Sequence, residues 1–165
     1  MMNCQRILRG LVFVFGLVGL SAFAAGGSFQ TVGVSTAEFH SIETEGGTLM
    51  SGHMKGGGTV INGGGLVESG MVSDTECLVS VKKHSKGNDI SASCTVNYPD
   101  LGAKMFMLFE RKAGDIAASD AKGGGTAIIL GGTDKLQGIS GECSYAIKYL
   151  DASRSVVNWD CHYDL

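Results

Sequence analysis

The sequence predicts an all-β domain, a barrel or a sandwich, on three observations: short apolar runs that alternate in and out, turn residues between them, and recurring glycine and cysteine landmarks. The recurrence is explicit. Lys55-Gly-Gly-Gly-Thr-Val-Ile61 returns as Lys122-Gly-Gly-Gly-Thr-Ala-Ile128, and each copy is followed by a Glu-Cys pair and then by a second cysteine. Lys55 and Lys122 lie 67 positions apart, Cys77 and Cys143 66, and Cys94 and Cys161 67, so three landmarks agree on one repeat length.

Residues 1–24 read as an export signal. Arg6 and Arg9 form a positive start, an apolar run occupies 11–20, and Ala22-Phe23-Ala24 is a small-x-small cleavage signal, with cutting expected before Ala25. The run is shorter than the ~20 residues a membrane span needs, and no second long run follows. Cys4 lies ahead of the run and leaves with the signal, so residues 25–165 are expected to form one β domain, periplasmic or secreted. The absence of an Asn-x-Ser/Thr sequon and the short signal fit a bacterial chain.

Removing Arg6 and Arg9 from the 13 Lys+Arg leaves 11 against 16 Asp+Glu, a formal charge of −5 for the mature chain. A nucleic-acid surface needs concentrated positive charge, and Lys82, Lys83 and Lys86 are too small a group to supply it. No nucleic-acid partner is expected.

Four cysteines remain after cleavage, which in an exported chain points to two disulfides. Three pairings are open, and the repeat selects Cys77 with Cys94 and Cys143 with Cys161. Strand alternation supports this independently. Cys77, Val79 and Val81 share one face, as do Ile90, Ala92, Cys94 and Val96. Setting Cys77 opposite Cys94 places Val79 against Ala92 and Val81 against Ile90, with the turn at His84-Ser-Lys-Gly87. Setting Cys143 opposite Cys161 places Tyr145 against Trp159 and Ile147 against Val157, with residues 151–153 at the tip. Ser144, Asn158, Asp160 and His162 then face away, and a slip of one residue would carry Trp159 to the polar side.

Further strands are expected at 29–34, 38–43, 57–61, 66–72, 104–111 and 126–130, with Asn62-Gly63 as a tight turn and Pro99 as a strand stop. One helical turn is expected within 114–120, at Ala117 and Ala118. The triple glycines do not match the phosphate-binding pattern G-x-x-x-x-G-K-[ST], because lysine precedes them and no lysine follows. Their expected role is to permit bends and close packing in a curved sheet.

Gly131-Gly-Thr-Asp-Lys-Leu-Gln-Gly-Ile-Ser-Gly141 resembles the Gly-Gly-Thr-Gly-Lys-Phe/Tyr-x-Gly-Ile-x-Gly segment of exported bacterial proteins in the allene oxide cyclase barrel-like superfamily, which includes dirigent-type proteins. Asp134 stands at a position where that segment has glycine, and Leu136 where it has an aromatic. The resemblance implies a small antiparallel barrel of about eight strands, lipocalin-like in scale, with a central cavity. It transfers no catalytic residue.

Enzyme chemistry finds little footing. There is no G-x-S-x-G nucleophile motif, and His40, His53, His84 and His162 are scattered without metal-ligand spacing. No metal or other cofactor is expected. Glu38 with His40, and Asp160 with His162, could each offer a general base if the fold brought them into a cavity, and Glu110 beside Arg111 ends an apolar strand. A cyclase or isomerase needs one of these groups inside, with Glu38, His40 and Glu110 the first to inspect. Ligand binding rests on Met105, Met107 and Phe109, which share one strand face, and on Tyr145 and Trp159; these five are the candidate ligand-lining residues. Phe106 and Leu108 occupy the opposite face, so that strand is expected to be covered on both sides. A small barrel can enclose one apolar molecule or be filled by its own side chains, and these residues fit either; the alternative function is an envelope protein that binds a partner through an apolar patch or sheet edge.

Overall fold

The computed structural model describes residues 26–112 and 122–165. The expected signal, its cleavage point and the helical turn within 114–120 lie outside the described residues.

Eight antiparallel strands run in chain order: β1 (Gly27–Thr44), β2 (Gly47–Gly63), β3 (Val72–His84), β4 (Gly87–Tyr98), β5 (Ala103–Arg111), β6 (Lys122–Gly132), β7 (Ser140–Tyr149) and β8 (Arg154–Asp164). Each pairs with its neighbours and β8 closes on β1, giving a closed barrel. Closure removes the exposed edges an open sheet would present. Among the described residues no helix is long and apolar enough to cross a membrane.

Both expected registers are present. Cys77 lies opposite Cys94, Val79 opposite Ala92 and Val81 opposite Ile90, while Cys143 lies opposite Cys161, Tyr145 opposite Trp159 and Ile147 opposite Val157. Both disulfides form, with Cα–Cα separations of 4.1 and 4.0 Å, the spacing of directly opposed residues whose side chains approach closely. The recurring landmarks fall four strands apart, so the disulfides staple opposite walls of the barrel.

The glycine triplets do not keep the same height as their disulfides. Cys77 faces Met54, next to Lys55, whereas Cys143 faces Ala127, five residues from Lys122. The two glycine walls therefore sit at different levels. Each glycine strand also carries a bulge: Ile61 is the extra residue of β2 against β1, and Leu130 that of β6 against β5. Bulges add local twist, which helps β2 and β6 curve round the barrel.

Several expected elements change. The runs at 29–34 and 38–43 are one strand, because Ser35, Thr36 and Ala37 continue the pairing with β2. Asn62 and Gly63 end β2 instead of turning, and Gly63 packs against the backbone of Val67 and Glu68, where a Cβ would not fit. Residues 66–71 form a loop with one bridge, Gly64 to Val67, because Gly65 and Gly70 take positive φ values of 81° and 90°. Pro99 does follow the end of β4 and opens a short 3-10 turn, Pro99–Leu101.

These loops plug one end of the barrel with buried Val67, Leu101, Leu136 and Ile139. The Tyr163 hydroxyl clamps the first of them, accepting from the Leu66 and Val67 N–H groups at 2.8 and 3.3 Å and donating to the Gly64 carbonyl at 3.0 Å. Asp134 has φ 52°, a left-handed conformation in which glycine meets least resistance, so the backbone accounts for the glycine of the resembled segment. Leu136 fills the plug with no exposed surface, at the place where that segment has an aromatic.

At the opposite end the β7–β8 turn is held by Asp151. Its carboxylate accepts from the Ser153 N–H, the Arg154 Nε–H and the Arg154 N–H at 2.9, 2.6 and 2.8 Å. The Ser153 backbone donor first, and then the Arg154 side chain, hold the carboxyl well below its usual range. A depressed carboxyl pKa contributes stability that is present above the unfolded value of about 4 and is lost as the pH falls below it. Fraying of this hairpin is therefore expected on acidification below pH ~4, and Asp151→Asn should flatten that dependence. Amide exchange of the Ser153 and Arg154 N–H groups from pH 5 to 2 tests it; an unchanged profile in the variant would count against this role.

Candidate functional site

Inward side chains alternate along every strand, so the barrel interior is set by register. Half of it is solid. Phe109 meets Trp159 edge-on with centroids 4.6 Å apart, and both contact Tyr145 at 5.7 Å. Met105, on the same strand β5 as Phe109, is fully buried. The second glycine wall is occupied as well: a Cβ at Gly125 would lie 2.8 Å from the Tyr145 hydroxyl, and one at Gly123 would strike the Arg111 guanidinium.

The other half holds a recess of about 50 Å³ that is open to solvent. One wall is built from β1, β2 and β3. Gly33, Gly56 and Gly58 bring backbone to the surface there, and Thr31, Ser35, Ser73 and Thr75 supply hydroxyls. Glycine is required in this wall, because a Cβ at Gly56 would lie 2.6 Å from the Val34 carbonyl and one at Gly33 2.9 Å from the Gly57 carbonyl. The rest of the lining is apolar, with Phe29, Met54, Val96, Met107, Val157 and Trp159.

The hydroxyls differ in their bonding. Ser35 and Ser155, opposed on β1 and β8, share a buried hydrogen bond of 2.8 Å. Thr31 is 6% exposed, and its Oγ1 is the buried side-chain polar atom among the described residues that has no hydrogen-bond partner. A buried hydroxyl without a partner carries a desolvation cost of ~1–3 kcal/mol.

Of the five candidate lining residues, Met107 and Trp159 stand on the recess wall, while Met105, Phe109 and Tyr145 lie in the packed remainder of the interior. The glycine and hydroxyl wall was not legible from apolar patterning. Its sequence signal is the row of small residues Thr31, Gly33 and Ser35 opposite Val60, Gly58 and Gly56, visible only once β1 and β2 are paired.

Titratable groups are arranged differently from the enzyme expectation. Glu38, His40 and Glu110 are exposed, as are Asp160 and His162. The recess wall contains no Asp, Glu, His, Lys or Arg, and its titratable side chain is Tyr98. Burial first, then the neighbouring Tyr163, pushes the Tyr98 phenol far above its ordinary value, so it remains neutral. Among the described residues no three His, Cys, Asp or Glu side chains are placed to hold one metal ion.

The outer face of β5 is not covered, contrary to the two-sided burial expected of that strand. Phe106 is 38% exposed, and Ile128 and Leu130 on the adjoining β6 are 47% and 61% exposed. The strands close on themselves, and no second layer of described residues packs outside them.

No family model matches the chain, and no curated protein matches it in sequence. Among solved structures, the pterocarpan synthase dirigent protein GePTS1 is similar over 86% of this chain and 92% of its own, with a TM-score of 0.54 and 12% identity. The pterocarpan synthase dirigent protein PsPTS1 is similar over 83% and 94%, with a TM-score of 0.50 and 12% identity. At that identity the likeness is one of architecture: the chain has a dirigent-like, closed eight-stranded antiparallel barrel.

Proposed function

We propose that this chain is an exported, disulfide-stapled barrel that takes a small apolar molecule into its interior. The observation that carries the reading is the unfilled recess, whose apolar wall includes Met54, Met107 and Trp159. Methionines adapt their shape to a guest at little cost, and barrels of this strand number hold single small ligands. Export is supported by the N-terminal signal pattern and by the two disulfides.

The test is solvent extraction and mass spectrometry of protein purified from its native host, with titration of the single tryptophan's emission by the extracted compound. A stoichiometric apolar compound that perturbs Trp159 is expected. Protein that yields none, and whose Trp159 emission is unmoved by small apolar molecules, would overturn the reading.

A second reading, a partner-binding envelope protein, is favoured by the outward patch of Phe106, Ile128 and Leu130. Phe106→Ser with Leu130→Ser should then abolish recovery of an envelope protein cross-linked to the wild type in cells. Unchanged cross-linking would sink it.

A further inference from the structure

The two glycine walls are unequal, and the inequality describes the guest. At Gly125 the open space is filled by the chain itself, with the Tyr145 phenol resting on bare backbone. At Gly56 and Gly58 the opposed β3 residues are Thr75 and Ser73, and the side-chain groups nearest a Cβ would be the small Ser35 and Thr31 of β1 in place of a ring. The six-residue shift between glycine triplets and disulfides produces this difference, because it sets Tyr145 and Ile147 against the second triplet and small hydroxyl residues against the first.

Thr31 stands on that first wall, more than nine-tenths buried, with an unpartnered hydroxyl. Its neighbour across β8 is Trp159 and across β2 is Val60, neither of which offers an acceptor from its side chain at Oγ1. Ser35, by contrast, already has its partner in Ser155. No charged side chain lines the recess, so an ion brought here would lose its hydration uncompensated.

We propose that the recess is a recognition site for the uncharged polar head, a hydroxyl or carbonyl, of a small apolar molecule, with Thr31 Oγ1 as the hydrogen-bonding partner. This rests on the ligand-binding reading and specifies the class of ligand. The recess of about 50 Å³ is a third of the ~150 Å³ that holds benzene, so it admits a head group and not a whole ring. The apolar body extends out of the recess along the rest of its lining, against Met54 and Trp159.

Benzyl alcohol, toluene and benzoate are suitable probes, read by the emission of Trp159, the chain's one tryptophan. Saturable binding is expected in the order benzyl alcohol, toluene, benzoate. Thr31→Val, which keeps the branched shape and removes the hydroxyl, should weaken benzyl alcohol about five- to tenfold, as one lost hydrogen bond of ~1 kcal/mol implies. It should leave toluene unchanged, and Thr31→Ser should retain the alcohol. Thr31→Val is also expected to unfold at an equal or higher urea concentration than the wild type, because the hydroxyl it loses had no partner. Equal affinity for alcohol and toluene, both untouched by Thr31→Val, would refute the Thr31 site while leaving apolar binding intact. Loss of urea resistance in Thr31→Val without any change in alcohol affinity would assign the hydroxyl to buried water and likewise refute the site. If no probe perturbs Trp159 at millimolar concentration, the ligand-binding reading itself falls.

Discussion

Replacing Cys143 and Cys161 together by alanine is expected to lower the free energy of unfolding by about 3 kcal/mol. The two residues are directly opposed on β7 and β8, 18 positions apart in the chain, and buried to 3% and 1% exposure. In the loop-entropy account, the bridge acts by restricting the unfolded chain, and a closed loop of this size accounts for that magnitude. The Cys77–Cys94 bridge spans 17 positions and should contribute similarly. Because the bridges lie on opposite walls with no shared strand, their effects should add. Loss of both, ~6 kcal/mol, is comparable to the ~5–15 kcal/mol total stability of ordinary domains. Urea titration of the two double variants and the quadruple variant measures this; a loss below ~1 kcal/mol for either pair would contradict it. Two formed disulfides are consistent with an extracellular protein.

The cysteine register was legible in the sequence because its errors are expensive. A slip of one position would expose Trp159 and bury Asp160, so the alternation of β7 and β8 admits one solution, and the structure adopts it. Glycine was less legible, because its two uses look the same in one dimension. Asn62-Gly63 has the composition of a tight turn, yet Gly63 serves close contact with the Val67 loop, and the reversal occurs at Gly65 and Gly70. The site was harder still. Met107 and Trp159 could be picked out as large apolar residues on inward faces, but Thr31, Gly33, Gly56 and Gly58 form a wall only through pairing between β1 and β2. Equal spacing along the chain also concealed a difference in space. Triplets and cysteines both recur about 67 positions apart, but the loop between β2 and β3 and that between β6 and β7 distribute those residues differently, so one glycine wall meets Tyr145 and the other Ser73 and Thr75.

Phe109→Ala should cost about 4 kcal/mol, well inside the ~3–5 kcal/mol range for deleting a buried phenylalanine. The position in that range follows from the neighbours. Phe109 is 6% exposed, and its cross-strand partners are Ala92 on β4 and Ala127 on β6, so the ring fills space that neither side can supply. The barrel is closed by hydrogen bonding on every strand, which limits collapse of the walls into the void. Edge-on contact with Trp159 at 4.6 Å and with Tyr145 at 5.7 Å adds ~0.5–1.5 kcal/mol per aromatic pair beyond area burial. Phe109→Leu, which keeps most of the volume, should cost less than half as much, and a similar loss in both variants would show that packing at this site is not the cause. The alanine variant further separates a made cavity from the native recess. Benzene should restore part of the lost stability in Phe109→Ala, since an apolar void binds it, whereas in Thr31→Val, which creates no void, it should add no more stability than it gives the wild type. That contrast follows from an interior in which Phe109, Tyr145 and Trp159 fill one half and thereby confine the unfilled volume to the glycine wall of β1 to β3.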